Sequence, residues 1–434
     1  MTAARFLNAH LFDPSQSIDG IGHIDIEDGV ITAINLGTPP NESKIERVID
    51  CKKTMLAPGI IDMRVQSADP GSEHLESLPT LLAAAAKGGI TALACLPNTS
   101  PVIDEASTID SLCLRASRIG GTRLYAYGAA TKALAGNEMA ELGLMAEAGA
   151  VGFTNCTSSI HDSLVMRRLL AYSNMLDKPF IQHCEDHALT SGGEMNEGEI
   201  STRLGLIGIP ACAEVIMIER DIRLAKLTGA HYHVAHVSTR DAVNVIREAK
   251  KLGLNITCDT APPYFSLNES KLLTYNTAFK LSPPLRSEDD RLGIVEGIQD
   301  GTIDAIASDH RARSKDTKAQ PFSAASVGAS GIETLFSITL ELVNKKIINI
   351  NQAISLLTIN PAKIFGINSP SLEEEKVADF IIFDENAPHI IKQENLKTSP
   401  TPFDGEKIHV KILATYVNGQ IAFMNEILKH KIIK

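Results

Sequence analysis

The sequence contains no tryptophan, and aromatic residues make up only 5% of its 434 residues. Its seven cysteines include no Cys-x-x-Cys pair. Disulfide-stapled small domains and zinc ribbons need closely spaced cysteine pairs, so both classes are excluded, and scattered thiols fit the reducing cytosol. No apolar run approaches the roughly 18 residues of a bilayer-spanning helix, and the N-terminus lacks a signal-peptide pattern. We therefore expect a cytoplasmic protein that does not enter a membrane.

Basic charge is also scarce, since 41 Lys and Arg stand against 52 Asp and Glu, a net charge of -11. Nucleic-acid binding needs clustered Lys and Arg, which the chain lacks, so we expect no nucleic-acid partner. Hydrophobic residues make up 44% of the chain, enough for a large core. The length permits about three ordinary domains, or one large α/β barrel with a small second domain.

The two ends of the chain predict short β-strands. Period-two alternation, interrupted by Gly, Asn and Asp, occurs at residues 5–7, 22–26 and 30–34 and again at 378–384 and 411–419. Because a different pattern separates these ends, we predict one composite β-domain formed by both termini. Its predicted extent is residues 1–55 and 367–434.

Between the two ends, short apolar strands alternate with helical stretches. The strand candidates are residues 92–96, 123–128, 150–153, 179–183, 231–236, 255–258 and 303–309. This alternation is typical of the α/β class and predicts a (β/α)8 barrel of the TIM type over residues 56–366.

Polar residues stand where several of these strands end, namely Asn98, Asn155, His183, His236 and Asp309. The carboxyl ends of barrel strands meet on one face, where functional groups are mounted. A lone strand-end histidine is more often a hydrogen-bonded core residue than a ligand. Two histidines and one aspartate on three different strands instead indicate a present or former metal site.

Six segments in order along the chain carry a family resemblance. They are APGIIDMRVQ (57–66), LPNTSP (96–101), QHCED (182–186), HVAHVST (233–239), FKLSPPLR (279–286) and GTIDAIASDH (301–310). The first resembles the opening strand of cyclic amidohydrolases. The set is similar to dihydroorotase of the type that associates with aspartate carbamoyltransferase, and the similarity extends from about residue 5 to 425.

The resemblance implies a zinc-dependent hydrolase of pyrimidine biosynthesis that interconverts carbamoyl aspartate and dihydroorotate. The family's metal ligands are a His-x-His pair, a bridging carboxylate, two further histidines and a final aspartate that also shuttles the proton. The last three correspond to His183, His236 and Asp309 in this sequence.

The other ligand positions have changed. The His-x-His pair corresponds to Arg64 and Gln66, and the bridging carboxylate to Asn155 or Cys156 within FTNCT (153–157). Arginine has no lone pair to donate, its charge repels a divalent cation, and neutral amide oxygens bind zinc weakly. We therefore expect no metal, or a single weakly bound one held by the three retained residues.

The family's substrate contacts have changed as well. Its carboxylate-binding Arg corresponds to Ala68, its Asn before Pro-Pro-Leu-Arg to Ser282, and the second His of its last motif to Arg313, whereas Asn98 is retained. The segment 309–318 contains four basic residues. We expect them in a solvated loop, and the alternative is an anion site.

Arg64 is predicted to point into the former metal cavity and to pair with Asp309, which would otherwise be a buried, unpaired carboxylate. The alternative is that Arg64 extends to solvent at the barrel mouth.

We predict a non-catalytic member of this family, acting as a structural or regulatory partner of aspartate carbamoyltransferase in a homo- or hetero-oligomer. One alternative is an active dihydroorotase or related cyclic amidohydrolase that uses a reduced metal site. Another is a ligand-binding barrel that holds an anionic metabolite with Arg311, Arg313 and Asn98.

Overall fold

The computed structural model describes residues 3–37, 45, 47–397 and 400–430. The strands are β1 (Ala4–Asp13), β2 (Ile18–Glu27), β3 (Val30–Leu36), β4 (Arg47–Asp50), β5 (Met55–Pro58), β6 (Ile60–Gln66), β7 (Ile90–Cys95), β8 (Arg123–Ala126), β9 (Gly128–Ala129), β10 (Phe153–Thr154), β11 (Phe180–His183), β12 (Met195–Asn196), β13 (Gly208–Ile209), β14 (Tyr232–Ala235), β15 (Ile256–Thr260), β16 (Ala305–Ile306), β17 (His310–Arg311), β18 (Phe380–Asp384), β19 (His389–Ile390), β20 (Lys407–Ile408), β21 (Lys411–Val417) and β22 (Gln420–Met424).

The helices are α1 (Leu78–Lys87), α2 (Ala106–Ile119), α3 (Leu142–Glu147), α4 (Ser163–Met175), α5 (His187–Thr190), α6 (Glu199–Leu204), α7 (Cys212–Thr228), α8 (Arg240–Lys251), α9 (Pro262–Ser266), α10 (Glu288–Gln299), α11 (Lys315–Lys318), α12 (Leu335–Asn344), α13 (Ile350–Leu357), α14 (Ile359–Phe365) and α15 (Glu426–Lys429). Capping side chains begin several of the barrel helices. Ser77, Asp162, Thr239 and Ser287 each accept a hydrogen bond from a backbone N–H of the first helical turn. None of the helices in the described ranges is both long and apolar enough to cross a bilayer.

Both ends of the chain share one sheet. Its order is β22-β21-β18-β5-β1-β2-β3, and β4 also pairs with β1. The rings of Phe6, Phe380 and Tyr416 pack together in its core. This is the predicted composite β-domain. Its exact limits stay a prediction, and the predicted boundary between residues 55 and 56 falls within β5, which pairs with β1 and β18.

Parallel strand segments form the barrel in two hydrogen-bonded sheets, β16-β15-β14-β11-β10-β9 and β17-β6-β7-β8. β8 and β9 are consecutive parts of one interrupted strand, and so are β16 and β17. The segments therefore make the eight strands of the predicted barrel, and the α/β fold class is confirmed. Met63, Ala94, Tyr127 and Ala307 fill its interior, so the barrel is a packed core whose carboxyl-end face remains for function.

Candidate functional site

Arg64 lies inside the barrel because strand β6 changes its alternation. Met63 packs in the hydrophobic cluster inside the barrel, and strict alternation would place Val65 there too. Val65 instead packs in a second hydrophobic cluster outside the barrel interior, because the register of β6 with β7 shifts between Asp62 and Val65. Arg64 is only 2% exposed, and its Nε donates to Asp309 Oδ1 at 2.9 Å. The predicted pairing is confirmed, and the solvent-exposed alternative for Arg64 is wrong.

Further contacts define the surroundings of this ion pair. Arg64 Nη2 donates to the carbonyl of Cys156 at 3.3 Å, while Nη1 is buried and has no hydrogen-bond partner among the described residues. Burial raises the pKa of Asp309, and the charge of Arg64 opposes that rise. Loss of either partner would leave the other as an uncompensated buried charge.

The two retained histidines contact each other directly. His183 Nδ1 and His236 Nε2 are 3.0 Å apart, and His183 Nε2 lies 2.9 Å from Glu185 Oε2. Burial, followed by the charge of Arg64 and by His183, lowers the pKa of His236 well below its ordinary value. His236 is therefore neutral near pH 7, and its buried Nδ1 has no hydrogen-bond partner in the described part of the chain.

Three residues of this centre have left-handed backbone geometry. The φ angles of His236, Asp309 and Cys156 are 40°, 49° and 61°. Such geometry costs a residue other than glycine on the order of 1–3 kcal/mol and persists only where neighbours hold it. Asp259 provides one such support, because its Oδ1 accepts a hydrogen bond from the His236 N–H at 2.7 Å. Strain at several strand ends is typical of sites that have a function.

The amide side chains at positions that correspond, by the resemblance, to the family's ligand and substrate contacts bond to their own neighbours. Asn98 Nδ2 donates to Gln66 Oε1 at 3.0 Å. Asn155 Oδ1 accepts from Thr131 Oγ1 at 2.7 Å, and its Nδ2 donates to the carbonyl of Leu134 at 3.1 Å. Both Gln66 and Asn155 are therefore held by hydrogen bonds within the protein.

The basic segment, residues 309–318, is not a solvated loop, so that expectation is wrong. Lys318 is only 6% exposed, and its Nζ donates to two backbone carbonyls. Arg311 and Arg313 are partly buried, and only Lys315 among the four basic residues is exposed. Burial and then the charges of neighbouring cations lower the pKa of Arg313 to about 10 and that of Lys318 to about 7.

A polar pocket of about 150 Å³ opens beside Arg311 and Arg313. Hydroxyl and amide side chains line its other wall: Gln66, Ser67, Ser72, Asn98, Thr99 and Ser100. The pocket therefore presents two cationic groups and several hydrogen-bond donors to a small anion.

His183, His236 and Asp309 converge at the barrel mouth, yet they make no complete ligand set. Throughout the described ranges, no three His, Cys, Asp or Glu side chains lie close enough together to hold one metal ion. Sequence reasoning missed Glu185, which contacts His183. Its position two residues after a strand-end histidine was the available signal, because alternate residues of an extended segment share a side.

Comparison with known proteins identifies the family. Residues 53–242 match a family model described as Dihydro-orotase-like. The dihydroorotase of Syntrophobacter fumaroxidans is 39% identical over 422 residues, 96% of each chain. That of Desulforapulum autotrophicum is 40% identical over 426 residues, 98% of this chain and 99% of its own. The chain belongs to the dihydroorotase family. The L-hydantoinase of Arthrobacter aurescens is 23% identical and superposes with a TM-score of 0.84 over 97% of this chain and 96% of its own. This superposition shows that the dihydroorotase-family chain has the amidohydrolase barrel fold.

Proposed function

We propose that this chain is a dihydroorotase-like protein of pyrimidine biosynthesis that has lost most of its zinc centre and supports aspartate carbamoyltransferase as a structural or regulatory partner. The observation that carries the proposal is the ion pair between Arg64 and Asp309, with Nε and Oδ1 2.9 Å apart. The guanidinium provides a fixed positive charge, so the Asp309 carboxylate is compensated without a metal ion.

The side chains present do not fit the family's zinc centre. A protein zinc site normally presents three or four good ligands at once. Here Arg64 and Gln66 stand at the His-x-His positions, and the Asn155 amide already bonds to Thr131 and Leu134. The remaining carboxylate is engaged by Arg64, whose charge also repels a cation. This donor set supports the loss of the centre.

The partner role rests on the branch of the family that the chain resembles. The scaffold segment GTIDAI (301–306) matches the family motif, whereas the departures concentrate at ligand and substrate positions such as Arg64 and Ala68. A protein that serves an assembly needs its fold and its surface, not its metal chemistry. The distribution of changes therefore favours a structural role over turnover.

Purified full-length chain and aspartate carbamoyltransferase from the same cell test the partner role. We expect the two proteins to co-elute in size-exclusion chromatography, and carbamoyltransferase activity or assembly to change when this chain is withheld. Separate elution, together with unchanged carbamoyltransferase activity, would refute the role.

Restoring the ligands tests the lost centre. We expect substoichiometric zinc in the purified chain and higher zinc content in the triple variant Arg64→His, Gln66→His and Asn155→Asp, measured by inductively coupled plasma mass spectrometry. The matched control is Arg247→His, since Arg247 lies on the surface and pairs with Asp300. Stoichiometric zinc in the unaltered chain would contradict the proposal.

A second candidate is an active dihydroorotase, or a related cyclic amidohydrolase, with a reduced metal site. It is favoured by the 3.0 Å between His183 Nδ1 and His236 Nε2, since two nitrogen ligands of one tetrahedral zinc ion are about 3.3 Å apart. Cyclisation of carbamoyl aspartate after zinc addition separates the candidates. Turnover that His183→Ala abolishes supports the enzyme, whereas no turnover at one equivalent of zinc supports the non-catalytic protein.

A further inference from the structure

Polar side chains of the neighbouring strands β14 and β15 line up inside the barrel. Tyr232 and Val234 pack in the hydrophobic cluster outside the barrel interior, so alternation turns His233 toward the interior. The parallel register sets His233 beside Thr257. Asp259 lies two residues further along β15 and shares the side of Thr257. The two strands therefore bring a histidine, a hydroxyl and a carboxylate together.

With His231, which directly precedes β14, these side chains form the interior row: His231, Thr257, His233 and Asp259. His231 Nε2 lies 2.8 Å from Thr257 Oγ1, and His233 Nδ1 lies 2.9 Å from the same hydroxyl. His233 Nε2 lies 2.8 Å from Asp259 Oδ2. Asp259 Oδ1 accepts the N–H of His236, the residue directly after β14, at 2.7 Å. The interior row therefore connects the amino-end face of the barrel with the candidate site.

The acceptor at one end fixes the direction of every hydrogen bond in the interior row. The Asp259 carboxylate only accepts, so His233 Nε2 donates to it. In a neutral ring the other nitrogen is then an acceptor, and Thr257 donates its single hydroxyl hydrogen to His233 Nδ1. The oxygen of Thr257 is left to accept from His231 Nε2. Each hydrogen in the row thus points toward Asp259.

The surroundings favour this single direction. Burial, followed by the neighbouring His233, lowers the pKa of His231 to about 4, against the opposing charge of Asp177. His231 is therefore neutral near pH 7 and has one donor and one acceptor nitrogen. Within the described ranges, the Thr257 hydroxyl bonds only to the two rings. No competing contact there offers its hydrogen another direction.

We propose that the interior row is a relay with two states, which couples the amino-end face of the barrel to His236. In one state every hydrogen points toward Asp259, and in the other every hydrogen points away from it. A ring or hydroxyl that gives its hydrogen to one neighbour cannot give it to the other, so a donor in place of the carboxylate reverses each bond in turn. Coupling between two sites is reciprocal, so a change of proton position on His231 alters what the row offers at the centre.

Asp259 and His233 are positioning residues in this relay. Asp259 holds the left-handed backbone of His236, whose φ is 40°, and His233 occupies the other oxygen of the same carboxylate. The relay does not depend on the proposed function, because it follows from side chains that face the interior below the former metal ligands.

The proton positions in the wild-type chain are the first test. Isotope labelling of the histidine nitrogens shows by NMR which ring nitrogen carries the proton, and the variants His231→Gln and His233→Gln assign the two sets of signals. At about pH 8, where histidine is ordinarily neutral, we expect the proton on Nε2 in both rings. A charged His233 ring, or a proton on Nδ1 of either ring, overturns the relay.

Asp259→Asn is the second test, because it introduces a donor with little change in size. Its Oδ1 still accepts the His236 N–H, so its amide group faces His233 Nε2 and donates to it. We expect the proton to move to Nδ1 in both His233 and His231, with this form in about tenfold excess, since the reversed hydrogen bonds favour it together. Reversal at His233 alone, or at neither ring, refutes the coupling.

Thr257→Val tests the route, because it removes the hydroxyl and keeps the side-chain shape. Alone, it should lower the excess of the Nε2 form at His231 and leave His233 unchanged. Combined with Asp259→Asn, it should confine the reversal to His233. If His231 still responds in the double variant, or if Thr257→Val alone leaves His231 as in the wild type, the relay is wrong.

Asp300→Asn is the matched control, since Asp300 lies on the surface and pairs with Arg247. It should leave the protons of both rings where the wild type has them. Thermal melts check that each variant remains folded. If Asp259→Asn does not fold, the wild-type proton positions and Thr257→Val alone still decide between the relay and its absence.

Discussion

The buried centre depends on one pair of residues, Arg64 and Asp309, whose opposite charges compensate each other. The side chains of Arg64 and Asp309 are 3% and 18% exposed, so water screens their attraction only weakly. A guanidinium remains protonated at every pH the fold experiences, and it cannot dissociate as a metal ion does. The ion pair therefore compensates Asp309 permanently, whereas a metal centre depends on the supply of metal.

We predict a large stability cost when one member of this pair is removed. Arg64→Leu should lower the free energy of unfolding by about 3–5 kcal/mol, because Asp309 loses its partner, and adding Asp309→Asn should restore much of the loss. Equilibrium denaturation in urea measures both. The control Arg247→Leu breaks the exposed pair with Asp300 and should cost less than about 1 kcal/mol. Equal costs for the two arginines would contradict this account.

Among the secondary-structure elements and their connections, two lysines join the loops at the barrel mouth. Lys318 Nζ donates to the carbonyls of Thr277 and Lys280, at 2.8 and 3.3 Å. Lys280 Nζ in turn donates to the carbonyl of Phe322 at 2.8 Å. Each ammonium group satisfies carbonyls of the other lysine's loop, so the two loops hold each other beside the polar pocket.

Lys318 should make stability rise with pH in the alkaline range. Burial, followed by the charges of Arg313, Lys280 and Arg311, lowers its pKa to about 7 in the folded chain, against about 10.4 in the unfolded chain. Between these values the unfolded chain binds more protons, so the free energy of unfolding increases by up to about 1.4 kcal/mol per pH unit. Urea denaturation from about pH 7 to 10 should show this slope reduced in Lys318→Met and kept in Lys315→Met. Equal slopes in the wild type, Lys318→Met and Lys315→Met would refute the assignment of this pH dependence to Lys318.

The polar pocket beside the same loop should bind small anions. We expect phosphate or carbamoyl aspartate to raise the melting temperature, because a ligand that binds only the folded chain stabilises it. Arg311→Gln should remove most of the shift, whereas Lys315→Gln, which alters a cation outside the pocket, should leave it unchanged. A shift that survives in the Arg311 variant would place the anion elsewhere.

In the molecule as a whole, polar contacts connect the barrel to the β-domain. Arg123, at the beginning of β8, donates to Asp379 Oδ2 and to Asn418 Oδ1, both at 2.7 Å. Thr415 Oγ1 donates to the carbonyl of Ala86 at the end of α1. Because β5 also continues into β6 with one residue between them, we expect the two parts to unfold together.

Removal of the Arg123 contacts should weaken this connection. We predict that Arg123→Ala lowers the free energy of unfolding by about 1.5–3 kcal/mol, since the buried Asp379 carboxylate loses a charged donor. Arg118→Ala on α2 is the control, because Arg118 is exposed and forms no ion pair in the described ranges. Denaturant unfolding followed by circular dichroism measures both variants. Equal stability of the two variants would show that the contact contributes nothing.

Strand positions were predictable because they depend on short patterns. The apolar runs at 179–183 and 231–236 correspond to β11 and β14, within one residue at each end. The basic segment was not predictable in the same way, because the burial of Lys318 depends on Thr277 and Lys280, about forty residues earlier in the chain. Composition alone favours a solvated loop for such a segment.

Local pattern and motif order were enough to predict the barrel and the sheet shared by both termini, and the family resemblance suggested Arg64 and Gln66 as the counterparts of the His-x-His ligands. The contacts at the centre follow from closure of the barrel, which joins residues far apart in the chain. Arg64 meets Asp309 across 245 positions of sequence, and His183 meets His236 across 53. A one-dimensional pattern indicates which side chains stand at strand ends. Only the closed barrel, with the register shift in β6, determines that the Arg64 guanidinium points at a carboxylate rather than at water.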